Sequence, residues 1–438
     1  AGDWIDGRNK FRRLMLAHFV QQNHPPAELM PVAASVHGMI GFNDTTEENL
    51  VALAKDIGAT QLPVDTFWLD AGWNEGGFAS GQGSNQPDPK RFPHGLAPVG
   101  AAANAAGLRF LTWFEPERVM RGTALDREHA DWLLYPSESP KELKYQENDG
   151  FRLLNLGNPD ARAWATQFVG DTIASSHIAI YRQDFNLYPG FFWHTDEPAN
   201  ERALREVRYI NGLYDYLDAL QERFPALIMD NCASGGRRLD FEMMRRMSPY
   251  WRSDSCWDSK DYPRNVQAMA HAFAEWLPLH GLGAASVDTV ALRSGMGACS
   301  SYANKFRDPA EVEALRAYLK QYLPVRELYW KDYYPLTAWS VDPKAWLAWQ
   351  YNDPETGRGL VQAFCSDTAG ALGPVLKLRG LKKDGWYTLV NWDDPQSPET
   401  RSGAELMTEG VKVKATRGSD AVVVAYTQVQ AKPEASSK

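Results

Sequence analysis

The sequence predicts an α/β fold, a (β/α)8 TIM barrel followed by a small C-terminal antiparallel β domain. Two patterns predict it. From residue 30 to about 330, short apolar runs alternate with amphipathic helical segments, which implies a parallel sheet. About eight such units occur, enough to close a barrel. A doubly wound open sheet is the alternative. No Gly-x-Gly-x-x-Gly follows a first strand, which weakens its dinucleotide-binding form.

The elements follow in order. Residues 1–29 are polar and partly helical over Arg8–Asn23, and read as a helical lead-in. The barrel, 30–330, offers Met30–His37, Val64–Trp73, Leu108–Glu115, Ile178–Phe185, Leu227–Cys232, Tyr250–Ser253, Gly283–Val287 and Ala298–Tyr302 as strands. Thr45–Ile57 opens with carboxylates in its first turn, where the helix dipole favours them. Asn158-Pro159-Asp160 gives the next helix an Asn cap and a Pro at its first position. Glu201–Phe224 is a long helix stopped before Pro225, and Arg264–Trp276 and Pro309–Leu323 complete the set. Residues 331–430 read as a C-terminal β-sandwich, with β-rich runs at Trp346–Tyr351, Gly359–Ser366, Gly385–Trp392 and Ala421–Thr427. Asn352-Asp353-Pro354 and Asp393-Asp394-Pro395 are its turn signals. Residues 431–438 read as a disordered tail.

Composition narrows the function. The 438 residues are 44% hydrophobic and 23% charged, with net charge −9, which suits a globular protein. No basic stripe is present, so nucleic acid is not an expected partner. No run of 18 apolar residues occurs, so no membrane span is expected. Cys232, Cys256, Cys299 and Cys365 form no CxxC pair and fix no disulfide. The compartment stays open, with secreted or periplasmic favoured over cytoplasmic. Homo-oligomerisation stays open too. The 16 Trp, 18 Tyr and 18 Phe fill a large core, and some are of a kind to line a cleft for a sugar ring.

Four apolar runs end in acids: Asp70, Glu115, Asp184 and Asp254. An acid at a strand end is costly to bury unless it is paired, bonded or used. One such Asp serves equally well as a helix cap or an ion-pair partner. Four of them beside Trp68, Trp73, Trp113 and Trp251 point to a site. Arg182 and Arg252 each precede an Asp by two, so alternation puts a guanidinium on the face of Asp184 and of Asp254. A neighbouring cation keeps a carboxylate ionised, as a nucleophile requires. A general acid instead needs a raised pKa. Two carboxylates among aromatic platforms fit cleavage of a glycosidic bond, and the retaining version sets them about 5–5.5 Å apart. No cofactor and no metal are expected, because the nine His show no HxH or HExxH grouping. The Asp230–Arg238 stretch reads as a loop in which two Gly supply positive φ and backbone N–H groups reach a ligand. Gly76–Pro93 reads as a long loop over the barrel mouth.

On these residues the sequence resembles glycoside hydrolase family 36, the clan D α-galactosidases and α-N-acetylgalactosaminidases. Phe67–Trp73 resembles the family's Asp-Asp-Gly-Trp strand, Lys90–Gly95 its loop, and Thr112–Glu117 its Trp-Phe-Glu-Pro-Glu. Tyr181–Asn186 resembles the nucleophile segment Lys-Trp-Asp-x-Asn, Cys232–Asp240 the Cys-Ser-Gly-Gly-Gly stretch, and Trp251–Asp254 the acid/base segment. The resemblance implies Asp184 as nucleophile and Asp254 as acid/base. The substrate-binding candidates are Asp70, Trp73, Trp113, Glu115, Arg182, Asn186, Cys232, Gly235, Arg238, Trp251 and Arg252. Three departures concern the sugar: the second Asp of the first motif is Ala71, the Lys is Arg182, and the Trp after it is Gln183. A guanidinium fork does not replace an ammonium conservatively. The expected activity is a retaining exo-α-glycosidase on terminal α-galactosides or 2-substituted relatives. The expected partner is a carbohydrate with a terminal galactose- or galactosamine-type sugar. The alternatives are α-N-acetylgalactosaminidase or α-galactosaminidase specificity, and a catalytically silent carbohydrate-binding barrel.

Overall fold

The structure is a computed structural model. It describes residues 3–84, 86–136, 150–195, 198, 203–256, 263–367, 373–413 and 420–430. The tail 431–438, expected to be disordered, lies outside the described residues. Eight strands close into a parallel barrel: β1 Val32–Ser35, β2 Thr66–Leu69, β3 Arg109–Phe114, β4 Ile178–Gln183, β5 Ile228–Asn231, β6 Tyr250–Trp251, β7 His280–Ala284 and β8 Cys299–Tyr302. Their order around the barrel is their order in the chain. The predicted fold class is the observed one. By internal contacts the chain divides into two compact units. One holds Gln21–Trp251 with Tyr302–Val312, and the other Ala1–Val20, Arg252–Ser301 and Glu313–Lys438.

In the first unit two helices start near the positions read from the sequence, and the Asn158 cap is the one expected. Thr46 and Asn49 form a reciprocal capping box for Glu47–Ala59. Asn158 caps Pro159–Ser175 through the N–H of Asp160. A small antiparallel sheet of Arg118–Met120, Phe151–Leu154 and Leu133–Leu134, unread in the sequence, leaves the barrel after β3. Parallel register sets Trp113 beside Arg182 and Arg182 beside Asp230. These three side chains therefore share the inner face. Tyr181 and Gln183 take the outer one.

In the second unit, β7 starts at His280, three residues before the expected Gly283. Gly281 explains the shift. A Cβ there would stand 2.2 Å from the Cys299 carbonyl oxygen, so only glycine admits the neighbouring strand. A six-stranded antiparallel sheet then forms from β9 Asp332–Pro335, β10 Leu347–Asp353, β11 Arg358–Cys365, β12 Trp386–Asn391, β13 Asp394–Ser402 and β14 Asp420–Val429. The order is β9-β10-β11-β14-β12-β13. The turn read at Asp393-Asp394-Pro395 lies at Trp392–Asp393, and the strand β13 that follows from Asp394 was unread in the sequence. It carries two prolines and exposed polar residues, yet it pairs with β12. An edge strand tolerates both features. Ala348, Val361, Leu378, Leu406 and Val424 belong to one buried core in this region. The lead-in is the helix Trp4–His18. It is fixed inside this unit by Asn9, which exchanges two bonds with the Tyr333 backbone, and by Arg12, whose guanidinium reaches the carbonyl oxygens of Ala274, Tyr329 and Lys331. Among the described residues no helix is long and apolar enough to cross a membrane.

Candidate active site

Asp184 is the first residue past β4, where its N–H meets the Phe114 carbonyl at 2.8 Å. Its Oδ1 accepts from the N–H groups of Phe185 and Ser234, each at 2.7 Å. Its Oδ2 accepts from Asn186 Nδ2 at 2.7 Å and Trp113 Nε1 at 3.1 Å. Burial alone would raise its pKa. The Ser234 and Asn186 bonds, the Arg182 charge and the Trp113 bond outweigh burial and hold it below the ordinary carboxylate value. The group is an ionised acceptor fixed in one orientation.

The Ser234 donor is delivered by unusual backbone. Ala233, Ser234, Gly235 and Gly236 all have left-handed φ, at 57°, 54°, 76° and 106°. The sequence assigned this conformation to the glycines alone. A non-glycine residue there costs of order 1–3 kcal/mol. Ala233 and Ser234 accept that strain where an N–H is aimed at the half-buried Asp184 carboxylate. Cys232, at the start of this turn, is buried, and its N–H is bound to the Gln183 carbonyl at 3.0 Å.

Arg182 is 3% exposed and lies between the rings of Trp68 and Trp251, its Cζ 4.6 and 4.8 Å from their centroids. Its Nη1 is bound to Asp230, and its Nε is 3.7 Å from Asp70 Oδ2. Burial opposes its charge, but Cys232, Asp230, Asp70 and Asp184 together push its pKa up. Among the described residues Arg182 Nε is buried with no hydrogen-bond partner. Asp70 also accepts from Trp68 Nε1 at 3.0 Å, and its N–H donates to His37 Nε2 at 3.1 Å. Burial keeps His37 neutral, and its Nδ1 lies 3.0 Å from the Ile40 carbonyl, which fixes the tautomer.

The sequence reading missed Asp230. Its signal was the same as for the other acids, a carboxylate ending an apolar run, but it was taken as the start of a loop. Burial raises its pKa against the pull of Arg182.

Four candidates sit elsewhere than expected. Trp73 is 1% exposed, and its Nε1 donates to the Trp113 carbonyl at 2.9 Å. It braces Trp113 through that bond. Glu115 has a fully buried side chain. It bonds Arg118 Nε at 2.8 Å and accepts the Asn186 N–H at 2.6 Å. Burial, with the Asp184 charge added, overrides Arg118 and raises its pKa to about 7. Arg238 clasps Glu117 with two bonds of 2.6 and 2.7 Å and stacks on Phe185 at 4.0 Å. Arg252 follows the last residue of β6 and meets His280 Nδ1 at 3.2 Å. Asp254 is exposed at the start of the 3-10 turn Asp254–Cys256, in the second unit. Asp184, Asp70, Trp113, Arg182, Asn186 and Trp251 come together with Asp230 and the Cys232–Gly235 turn.

The sequence matches known families. A family model described as melibiase matches residues 7–262, and that of the glycosyl hydrolase family 36 C-terminal domain matches 346–425. The chain belongs to this family. A probable α-galactosidase C of Aspergillus flavus is 30% identical over 268 residues, 58% of this chain and 34% of the relative. A probable α-galactosidase G of Aspergillus terreus is 26% identical over 425 residues, 91% of this chain and 55% of the relative. The chain thus spans about a third to a half of the length of these relatives. A family 36 α-galactosidase from Geobacillus stearothermophilus, solved in complex with raffinose, superposes with a TM-score of 0.80 at 20% identity, over 97% of this chain and 59% of that one. At that identity the likeness concerns the fold.

Proposed function

We propose that the chain is a retaining exo-α-glycosidase acting on terminal α-galactosides. Asp184 attacks C1 of the sugar and forms a glycosyl–enzyme ester. Asp254 gives its proton to the departing glycosidic oxygen, then takes one from the water that cleaves the ester. The observation that carries the reading is the setting of Asp184. Four donors, one of them the buried Trp113 indole, and a nearby guanidinium hold it ionised. A nucleophile needs the charge and a fixed lone pair. Arg182 Nε supports a hydroxyl-binding role, because it is a buried donor with a lone-pair partner still to find. Family membership supports the reaction class. Relatives named α-galactosidases support the sugar.

A second reading concerns specificity. Asp70, Asp184 and Asp230 surround the single guanidinium of Arg182. That excess of negative charge favours a 2-amino sugar, and Ala71 removes one further hydroxyl acceptor. Aryl α-glycosides of galactose, N-acetylgalactosamine, galactosamine and glucose separate the two readings. NMR of the first sugar released should show the α-anomer. A β-anomer as first product would contradict the double displacement.

A further inference from the structure

From Asp184 a file of aromatic rings runs outward to solvent. Trp113, whose indole N–H holds the Asp184 carboxylate, meets Phe78 edge-on at 5.9 Å between centroids. Phe78 meets Phe42 at 5.4 Å, and Phe42 packs on His37 at 4.3 Å. His37 is the ring that accepts the Asp70 N–H. Exposure rises along the file. Trp113 is 2% exposed, Phe78 is half-buried and Phe42 is 40% exposed. Trp68, Trp73 and Trp251, by contrast, are all at 5% or less.

The outer two rings are held in place without a ligand. Phe42 sits in the loop after β1 and Phe78 in the loop after β2. Asn43 latches these loops as a neighbouring strand would. Its Nδ2 donates to the Phe78 carbonyl at 2.9 Å, and its Oδ1 accepts the Phe78 N–H at 2.7 Å. Gly77 makes the latch possible. Its φ is +69°, and a Cβ there would stand 2.5 Å from Asn43 Oδ1. Arg118 backs Phe78 at 5.6 Å. A preorganised apolar ring facing water and connected through Trp113 to the reacting carboxylate is a binding surface rather than leftover core.

We propose that Phe42 and Phe78 form the ledge that receives the leaving group of the substrate, a sugar ring laid with its C–H face on Phe42. This rests on the glycosidase reading and adds the part of the substrate beyond the cleaved bond. A flat ring with an apolar face and polar edges fits such a ledge, and stacking needs no directional partner.

The test compares two substrates of the same galactosyl group. In α-galactosyl fluoride the leaving group is one atom and does not reach the ledge. In raffinose it is a disaccharide. Phe42→Ala should lower kcat/KM on raffinose about tenfold and leave the fluoride within about twofold, while Phe42→Trp keeps both. Phe42→Leu, which retains apolar bulk but not the flat face, should behave like the Ala variant. It covers the case in which Phe42→Ala does not fold. Equal losses on both substrates, or an unchanged rate on raffinose, would overturn the ledge. A wild-type chain inert toward both substrates would overturn the glycosidase reading and the ledge with it.

Discussion

Strand β4 carries polar side chains on both faces, and the two faces hold different kinds of network. Inside, Arg182 reaches Asp230 and Asp70 beside the half-buried Asp184, and Arg182 Nε keeps an unused donor. Outside, Gln183 takes a bond from the Tyr181 hydroxyl at 3.0 Å and gives one to Glu117 at 2.7 Å. Glu117 also receives Tyr209 and both arms of Arg238, and Tyr181 shares a 2.8 Å bond with Tyr216. The outer network closes on itself. Buried polar networks that are fully paired rigidify a fold, and those left open have capacity for a ligand. Gln183, a departure from the family pattern, is thus part of the scaffold and not of the pocket.

That contrast predicts opposite costs for similar substitutions. Asp184→Asn on the inner face should lower kcat on an aryl α-galactoside by at least about a thousandfold. Its urea midpoint should stay near that of the wild type. Near-normal turnover would remove Asp184 from the chemistry. Glu117→Gln on the outer face should do the reverse. It strands the Arg238 charge in a buried place and should cost about 3–5 kcal/mol in urea unfolding. The folded fraction should keep most of its kcat. A stable but inactive Glu117→Gln protein would show that the outer network is part of the site.

Glu115, which accepts the Asn186 N–H, sharpens the comparison through pH. Its folded pKa is raised to about 7, so the folded state binds the extra proton. Its contribution to stability is therefore complete below the unfolded value, near 4.3, and fades as pH rises through 7. The wild type should lose stability across that window at up to about 1.4 kcal/mol per pH unit. Glu115→Gln should flatten this slope in urea titrations at several pH values. An unchanged slope would mean that another group titrates there. The smallest effect is expected at Trp73→Phe, which removes one indole bond to the Trp113 carbonyl. It should cost about 1 kcal/mol in stability, with activity changed by a few-fold at most.

How legible the molecule was follows from which forces are local. The strand-end acids could be read because period-two alternation and burial act along the chain. The same rule placed Arg182 beside Asp184. It does not extend to Arg252 and Asp254, because β6 stops at Trp251. Glu115, Arg238 and Trp73 looked like pocket residues in sequence. Their partners Arg118, Glu117 and the Trp113 carbonyl could be named only once the fold had brought them together. The left-handed Ala233 and Ser234 left no trace in residue type, since the sequence signal for positive φ is glycine. β13 was hidden for the opposite reason. Its prolines spell a turn, and only its place at the sheet edge allows a strand.

The most direct test of the nucleophile is to trap it. A 5-fluoro-α-galactosyl fluoride forms its glycosyl ester readily and loses it slowly. Incubation with the intact chain, followed by proteolysis and mass mapping, should place the added sugar on the peptide containing Asp184. The Asp184→Asn variant should carry no label. Label on any other carboxylate, or turnover of the reagent without a trapped ester, would contradict the assignment.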